Sequence, residues 1–237
     1  MIPKIIHQIW LGGGRLSAEQ KYWQSTWKKH NPEWEFIVWD ENALRVARLD
    51  GFLFKNSYIA EYATSLAEVS DLLRYEILFR YGGVYTDIDY ECLKPIDDLM
   101  SGKSFVAGAE SDEYMCNAFI ASAKGGVEMH DLVESCYARH QHIKETQAQA
   151  DIDDEGFVYP AQKKYGTVFF SDIAGYEKAV PRELLYPYLW DEMDRRNEDF
   201  AETCPEAYAV HHWASSWHQE EDYNDHCNKT PIGWKYE

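Results

Sequence analysis

Two aspartates one residue apart, Asp87 and Asp89, are the side chains in this sequence best suited to holding a metal ion. They close the run SDLLRYEILFRYGGVYTDID, from Ser70 to Asp89. In an extended strand, side chains repeat every two residues, so the pair is expected to put both carboxylates on one side. Hard divalent cations such as Mn²⁺ or Mg²⁺ take such oxygen ligands and in turn hold a diphosphate. The cation would stabilise the charge that grows on a departing diphosphate. Taken alone, the pair also reads as two solvated strand-end carboxylates. Asp71 and Arg74, one helical turn apart, likewise read alone as a surface ion pair worth a few tenths of a kcal/mol.

The elements around these groups follow from periodicity and breakers. Ile5 to Trp10 is a short β-branched stretch that ends in Leu11-Gly12-Gly13-Gly14, a first strand entering a glycine loop. Ser17 and Gln20 have the spacing of a capping box and open a helix. Residues 34–40 read as a second strand. Residues 57–81 read as one helix, broken by Gly82-Gly83, with residues 84–89 as the strand that follows. Residues 104–108 and 117–121 give two more strands, and residues 126–143 a helix. Gln147–Gly156 is polar and acidic and is expected to be a mobile loop. Strands and helices alternate over the first 120 residues, which predicts an α/β fold with a mixed sheet. No repeat or linker divides the 237 residues, so one domain is expected over residues 1–237.

Composition narrows the partners. With 23 basic and 41 acidic residues, the formal charge is -18. Such a chain repels nucleic acid, and it would bind a diphosphate only through a cation. Hydrophobic residues make up 45% and charged residues 27%, as in ordinary globular proteins. Cys92, Cys116, Cys136, Cys204 and Cys227 form no CxxC pair, which predicts reduced thiols and no thiolate zinc site. No run of about 18 apolar residues exists and the N-terminus does not read as a signal peptide, so a cytoplasmic protein is expected, with room for peripheral association at the inner face of a membrane.

The Ser70–Asp89 run resembles the DxD-containing sugar-binding region of glycosyltransferase family thirty-two. That family includes yeast mannosyltransferases and bacterial capsule-synthesis enzymes, and is related to clostridial glucosylating toxins. Three more stretches match in the family's order: Ile2–Gly12, Asn117–Ser122 and Ala209–Trp217. The resemblance implies a GT-A-like fold, with nucleotide-sugar binding in about residues 1–122 and an acceptor-side and closing part in about 123–237. It implies that Asp87 meets the ribose or donor sugar and that Asp89 ligates the metal, with Asp71 and Arg74 holding the donor sugar and its diphosphate. Trp10 would stack on the base, and Asn117 would touch donor or acceptor hydroxyls. In the tail, the resemblance places a third metal ligand at His212, a donor contact at Ser215, and Trp217 over the diphosphate or glycosidic oxygen. Whether His211 or His212 is the ligand stays open. His7, in the first strand, reads as a hydrogen-bonded core residue.

The activity so implied is retaining, metal-dependent sugar transfer from a nucleoside diphosphate sugar. UDP-sugars are favoured and GDP-mannose is the alternative. The acceptor would be a hydroxyl of a glycan or lipid-linked glycan, in capsule or surface polysaccharide synthesis. No carboxylate announces itself as a nucleophile, and the family resemblance implies front-face attack. The rival readings are a non-catalytic nucleotide-sugar binder and a metal-dependent phosphohydrolase. The sequence departs from the family pattern between residues 122 and 190, on the acceptor side.

Overall fold

A computed structural model of the protein describes residues 1–49, 54–152 and 161–214. The first half contains β1 (Ile5–Ile9), α1 (Ala18–His30), β2 (Glu35–Trp39), α2 (Glu41–Leu49), α3 (Ser57–Ala60), α4 (Leu66–Tyr81), β3 (Gly83–Thr86) and β4 (Tyr90–Cys92). Then come α5 (Asp97–Met100), β5 (Phe105–Ala109), β6 (Met115–Ser122), α6 (Val127–Ile152), α7 (Ala161–Lys164), α8 (Thr167–Ala174), α9 (Phe200–Thr203) and β7 (Ala209–His211).

Five strands form one mixed sheet in the order β2-β1-β3-β6-β5. β1 lies parallel to β2 on one side and to β3 on the other, while β6 runs antiparallel to both β3 and β5. The chain leaves β1 through α1 to reach β2, then returns past β1 to form β3. The β1–β3 gap is therefore where the winding reverses, and ligands of open α/β sheets sit at the carboxyl ends of strands at such a point. Trp10 and Asp87 stand at those two ends. A separate ribbon pairs β4 with β7. The core has two main layers. Leu72, Leu73, Tyr75 and Ile77 of α4 pack with Leu132 of α6 and Phe169 of α8. Trp27 of α1 packs with Val84, Tyr90, Phe119 and Tyr186 in the other layer.

Local chemistry explains the element ends. The capping box of α1 forms as expected, with Gln20 N–H donating to Ser17 Oγ and Ser17 N–H to Gln20 Oε1. The single helix expected over 57–81 is instead two. Ser65 caps a fresh start at Leu66, and the Glu68 carboxylate accepts from Thr64 N–H, so both orphan groups are satisfied at a new terminus. Gly82 and Gly83 hold φ of 66° and 103°, and a Cβ on Gly83 would lie 2.5 Å from the Ile5 carbonyl oxygen. Only glycine lets the chain turn here against β1. The expected loop at 147–156 is helical through Ile152, because its Gln and Ala residues favour helix. The rest of it, 153–156, falls outside the described residues. Cys92, Cys116, Cys136 and Cys204 are free thiols, and Cys227 is not among the described residues. Among the described residues, no helix is long and apolar enough to cross a membrane.

His7 is the one buried titratable group of β1. Its Nε2–H donates to the Gly82 carbonyl at 2.9 Å, and its Nδ1 accepts from Trp39 Nε1–H at 3.1 Å. Those two partners fix the neutral tautomer, and burial lowers its pKa to about 4, with the Gly82 bond opposing only in part. The unfolded chain binds a proton near pH 6.5 and the folded one only near 4. His7 therefore contributes stability above pH 6.5 that is lost as pH falls towards 4, by roughly 3 kcal/mol. Urea denaturation of wild type and His7→Gln between pH 7.5 and 4.5 checks this. The variant is expected to be less stable at pH 7.5 but to have a shallower pH slope; an equal slope rules His7 out as the source.

Candidate active site

The two aspartates come together in a way the spacing did not foresee. β3 ends at Thr86, and Asp87 to Tyr90 form a turn in which Tyr90 N–H donates to the Asp87 carbonyl at 3.2 Å. The turn, rather than strand alternation, brings the two carboxylates close. Asp87 is still tied to the sheet, its N–H donating to the Ala118 carbonyl at 2.9 Å. Gln8 reaches across from β1 to Thr86 Oγ1 at 3.1 Å and steadies the same corner.

The tail then supplies a nitrogen. β7 pairs with β4 so that His211 lies opposite Tyr90 and stacks on its ring at 5.0 Å. His211 Nε2 stands 3.1 Å from Asp89 Oδ1. One ligand atom each from Asp87, Asp89 and His211 lies within 4.8 Å of the others. Of the two tail histidines, the structure therefore brings His211 to the aspartates. His212, the position the family pattern favoured, turns to the other side, where its Nε2 meets Glu91 Oε2 at 2.9 Å. Neighbouring residues of an extended segment face opposite ways, so the two cannot share one centre.

The donor set fits a divalent cation. Two carboxylates and an imidazole suit Mn²⁺ or Mg²⁺, with the nitrogen favouring Mn²⁺. Ligands at about 2.1 Å from an octahedral ion are roughly 3.0 Å apart when adjacent, close to the Asp89–His211 separation. Asp89 is also held ionised. Burial alone would raise its pKa, but the His211 ring and the Ala214 N–H at 2.8 Å outweigh it and bring it down to about 2. His211 moves the opposite way. Burial works against its charge, and Asp89, Asp87 and Glu110 together raise its pKa above the ordinary value.

Arg74 organises the other half of the site. Its side chain is only 6% exposed. Nη1 donates to the Asn117 carbonyl at 2.8 Å and lies 3.4 Å from Asp87 Oδ1. Nη2 lies 3.1 Å from Asp71 Oδ1 and 3.2 Å from Ser70 Oγ, and Nε donates to the Ser70 carbonyl. The guanidinium also lies over the Tyr85 ring at 4.5 Å. Burial disfavours its charge, but Tyr85, Asp87 and Asp71 more than offset that and raise its pKa. All of its donor groups are engaged within the protein. Asp71 feels burial most, offset in part by Arg74 and by Asn117 Nδ2–H at 2.8 Å, and its pKa rises to about 6. Asp87 is raised by burial against the pull of Arg74.

Four residues expected from the sequence thus meet directly: Asp71, Arg74, Asp87 and Asn117. Asn117 lies within β6 rather than at a strand end, and its Oδ1 accepts from Thr167 Oγ1 at 3.2 Å. Trp10 sits at the carboxyl end of β1, its indole N–H donating to the Gly14 carbonyl at 2.6 Å, so the ring leans over its own glycine loop. Ser215 and Trp217 lie outside the described residues. Sequence reasoning missed Tyr85, whose hydroxyl donates to Asp87 Oδ1 at 2.6 Å, and Ser70 beneath Arg74. The signals were present: Tyr85 is two residues before Asp87 on the strand, and Ser70 is one helical turn before Arg74.

Residues 17–106 match the family described as the glycosyltransferase sugar-binding region containing DXD motif. The chain is 30% identical over 126 residues to inositol phosphoceramide mannosyltransferase 1 of Schizosaccharomyces pombe, covering 52% of this chain and 39% of that protein. It is 26% identical to the uncharacterized glycosyltransferase L373 of Acanthamoeba polyphaga mimivirus, covering 92% of this chain and 84% of the other. The chain spans only 39% and 34% of the lengths of the S. pombe mannosyltransferases 1 and 3. Among solved structures, the PaToxG glycosyltransferase superposes with a TM-score of 0.51 at 18% identity, over 85% of this chain and 74% of that one. The ligand-free glycosyltransferase domain of the YGT toxin also gives 0.51, at 11% identity, over 76% and 80%. The mixed α/β fold is that of these GT-A-like domains.

Proposed function

We propose that this chain, which carries a glycosyltransferase's DXD sugar-binding region, transfers a sugar from a nucleoside diphosphate donor to a hydroxyl of a glycan or lipid-linked glycan. The observation that carries the proposal is the convergence of Asp87, Asp89 and His211 at the carboxyl end of β3, beside the β1–β3 switch point. A divalent cation held there, Mn²⁺ foremost, would neutralise the diphosphate as it leaves. Asp89 and His211 would hold the cation, with Asp87 completing the set and turned towards the donor sugar, while the Tyr85 hydroxyl and Arg74 hold the Asp87 carboxylate in place. Asp71 and Asn117 offer hydrogen bonds to the sugar. Trp10 lies where a base would bind.

Front-face attack with retention, in which the donor phosphate takes the acceptor proton, is the mechanism that the family resemblance favours. The mannosyltransferase names of the relatives weigh towards a mannosyl donor, while the toxin resemblance weighs towards UDP-sugars. A two-metal phosphohydrolase is disfavoured, since among the described residues the metal-suited cluster has three members. A capsule or surface-glycan role at the inner face of the membrane is the setting we propose.

A thermal-shift screen of nucleotide sugars with and without Mn²⁺ tests the proposal, because a ligand that binds only the native state raises the apparent stability. A Mn²⁺-dependent shift with GDP-mannose or one UDP-sugar is expected. Its release as nucleoside diphosphate plus glycoside then marks a transferase. Cleavage inside the diphosphate would overturn the assignment.

A further inference from the structure

His212 is not with the aspartates, yet it is buried and held from several sides. Its ring stacks on Trp23 of α1 at 4.5 Å with the planes 11° apart. Tyr188 and Phe200 meet it edge-on at 6.4 and 6.5 Å. Its Nε2 meets Glu91 Oε2 of β4, and the other carboxylate oxygen of Glu91 accepts from the Tyr22 hydroxyl at 3.0 Å. The segment that carries His212 is the one that completes the metal-suited cluster. His212 N–H donates to the Asp89 carbonyl at 2.9 Å, and Ala214 N–H donates to Asp89 Oδ2. β7 itself is three residues long and pairs with one neighbour, so its ladder alone is a weak anchor.

We propose that the Trp23–His212–Glu91 group is a latch that fixes β7 in the position where His211 and the Ala214 amide meet Asp89. Glu91 and His212 are thus positioning residues that ligate nothing themselves. The chemistry is that of an outer shell, where loss of an orienting partner typically weakens metal binding 10–100-fold. This inference rests on the metal reading of Asp87, Asp89 and His211, and the test separates the two.

The variants are Glu91→Leu, which cuts the latch without touching either histidine, and Glu91→Gln, which keeps an acceptor for His212 and a partner for Tyr22. Mn²⁺ binding is followed by electron paramagnetic resonance, and amide hydrogen exchange is measured on the metal-free protein. Glu91→Leu is expected to weaken Mn²⁺ at least about tenfold and to speed exchange at His212 and Ala214, leaving the amides of α4 unchanged. Glu91→Gln is expected to restore both. Unchanged Mn²⁺ affinity, or unchanged exchange, in a folded Glu91→Leu overturns the latch. Exchange that rises throughout the protein overturns it too, in favour of a general packing role. A wild type that binds no Mn²⁺ overturns the metal reading, and the exchange rates alone then decide whether the segment is latched.

Discussion

Arg74→Ala is expected to destabilise the protein by about 3–5 kcal/mol, the usual cost of removing one partner from a buried charge cluster. For a chain of this size that is a fall in melting temperature of roughly 6–20 °C. The reason lies in what stays behind. Asp71 and Asp87, only partly buried with side chains 14% and 29% exposed, would keep their places and lose the cation between them, while the Asn117 carbonyl would lose its Nη1 donor at 2.8 Å. Tyr85 would lose the guanidinium over its ring. A surface ion pair of the same spacing on a helix would cost a few tenths of a kcal/mol, so the measurement separates the two environments by an order of magnitude. Arg74→Lys tests the geometry further. An ammonium has three donors and no fork, so it cannot replace contacts made from three nitrogens. It is expected to recover part of the stability and little of the organisation around Asp87. Urea denaturation of both variants checks this, and an Arg74→Ala protein as stable as wild type would show that the cluster is held by other means.

The family resemblance gave Arg74 to the donor diphosphate, and the fold shows why a sequence misses its second duty. A helical wheel places Asp71 and Arg74 one turn apart but does not say what they face. Only the sheet order brings Asn117 of β6 and Asp87 beyond β3 against that face of α4. The same holds for the histidines. Two adjacent histidines in a tail look equivalent on paper. The antiparallel pairing of β7 with β4 puts His211 opposite Tyr90 and so beside Asp89, and sends His212 to Glu91. What was legible was local: the β-branched start of β1, the capping box of α1, the Gly82-Gly83 break and the aspartate pair. The extra helix start at Ser65 was hidden because apolar residues run through 57–81 without interruption, and the capping that divides them depends on one Glu68 side chain reaching back to Thr64. The turn that joins Asp87 to Asp89 was hidden for a similar reason. Val84, Tyr85 and Thr86 suit a strand, and nothing in Ile88 announces that the strand has ended.

Asp89→Ala is expected to abolish Mn²⁺ binding and to lower metal-dependent turnover by at least about a thousandfold, since it removes a ligand and the stabilisation of the leaving group together. Asp89 also holds the site in shape, so the effect should extend to stability. Its pKa near 2 lies below the ordinary 3.8, which means the folded state favours the ionised form. That contribution is present above pH 3.8 and lost as pH falls towards 2, and it amounts to about 2 kcal/mol. At pH 7 the variant should therefore be less stable than wild type by about that amount, and the difference should shrink in acid. Asp89→Asn separates the two roles. It keeps the volume and an oxygen for the Ala214 N–H, but it lacks the charge that a cation needs and that raises the His211 pKa. Asp89→Asn is expected to recover part of the stability and none of the Mn²⁺-dependent turnover. If it turns over donor normally, Asp89 does not ligate the metal. If Asp89→Ala loses turnover but keeps wild-type stability across pH, the carboxylate acts on the donor without anchoring β7, because His211 and Ala214 would be held in place without it.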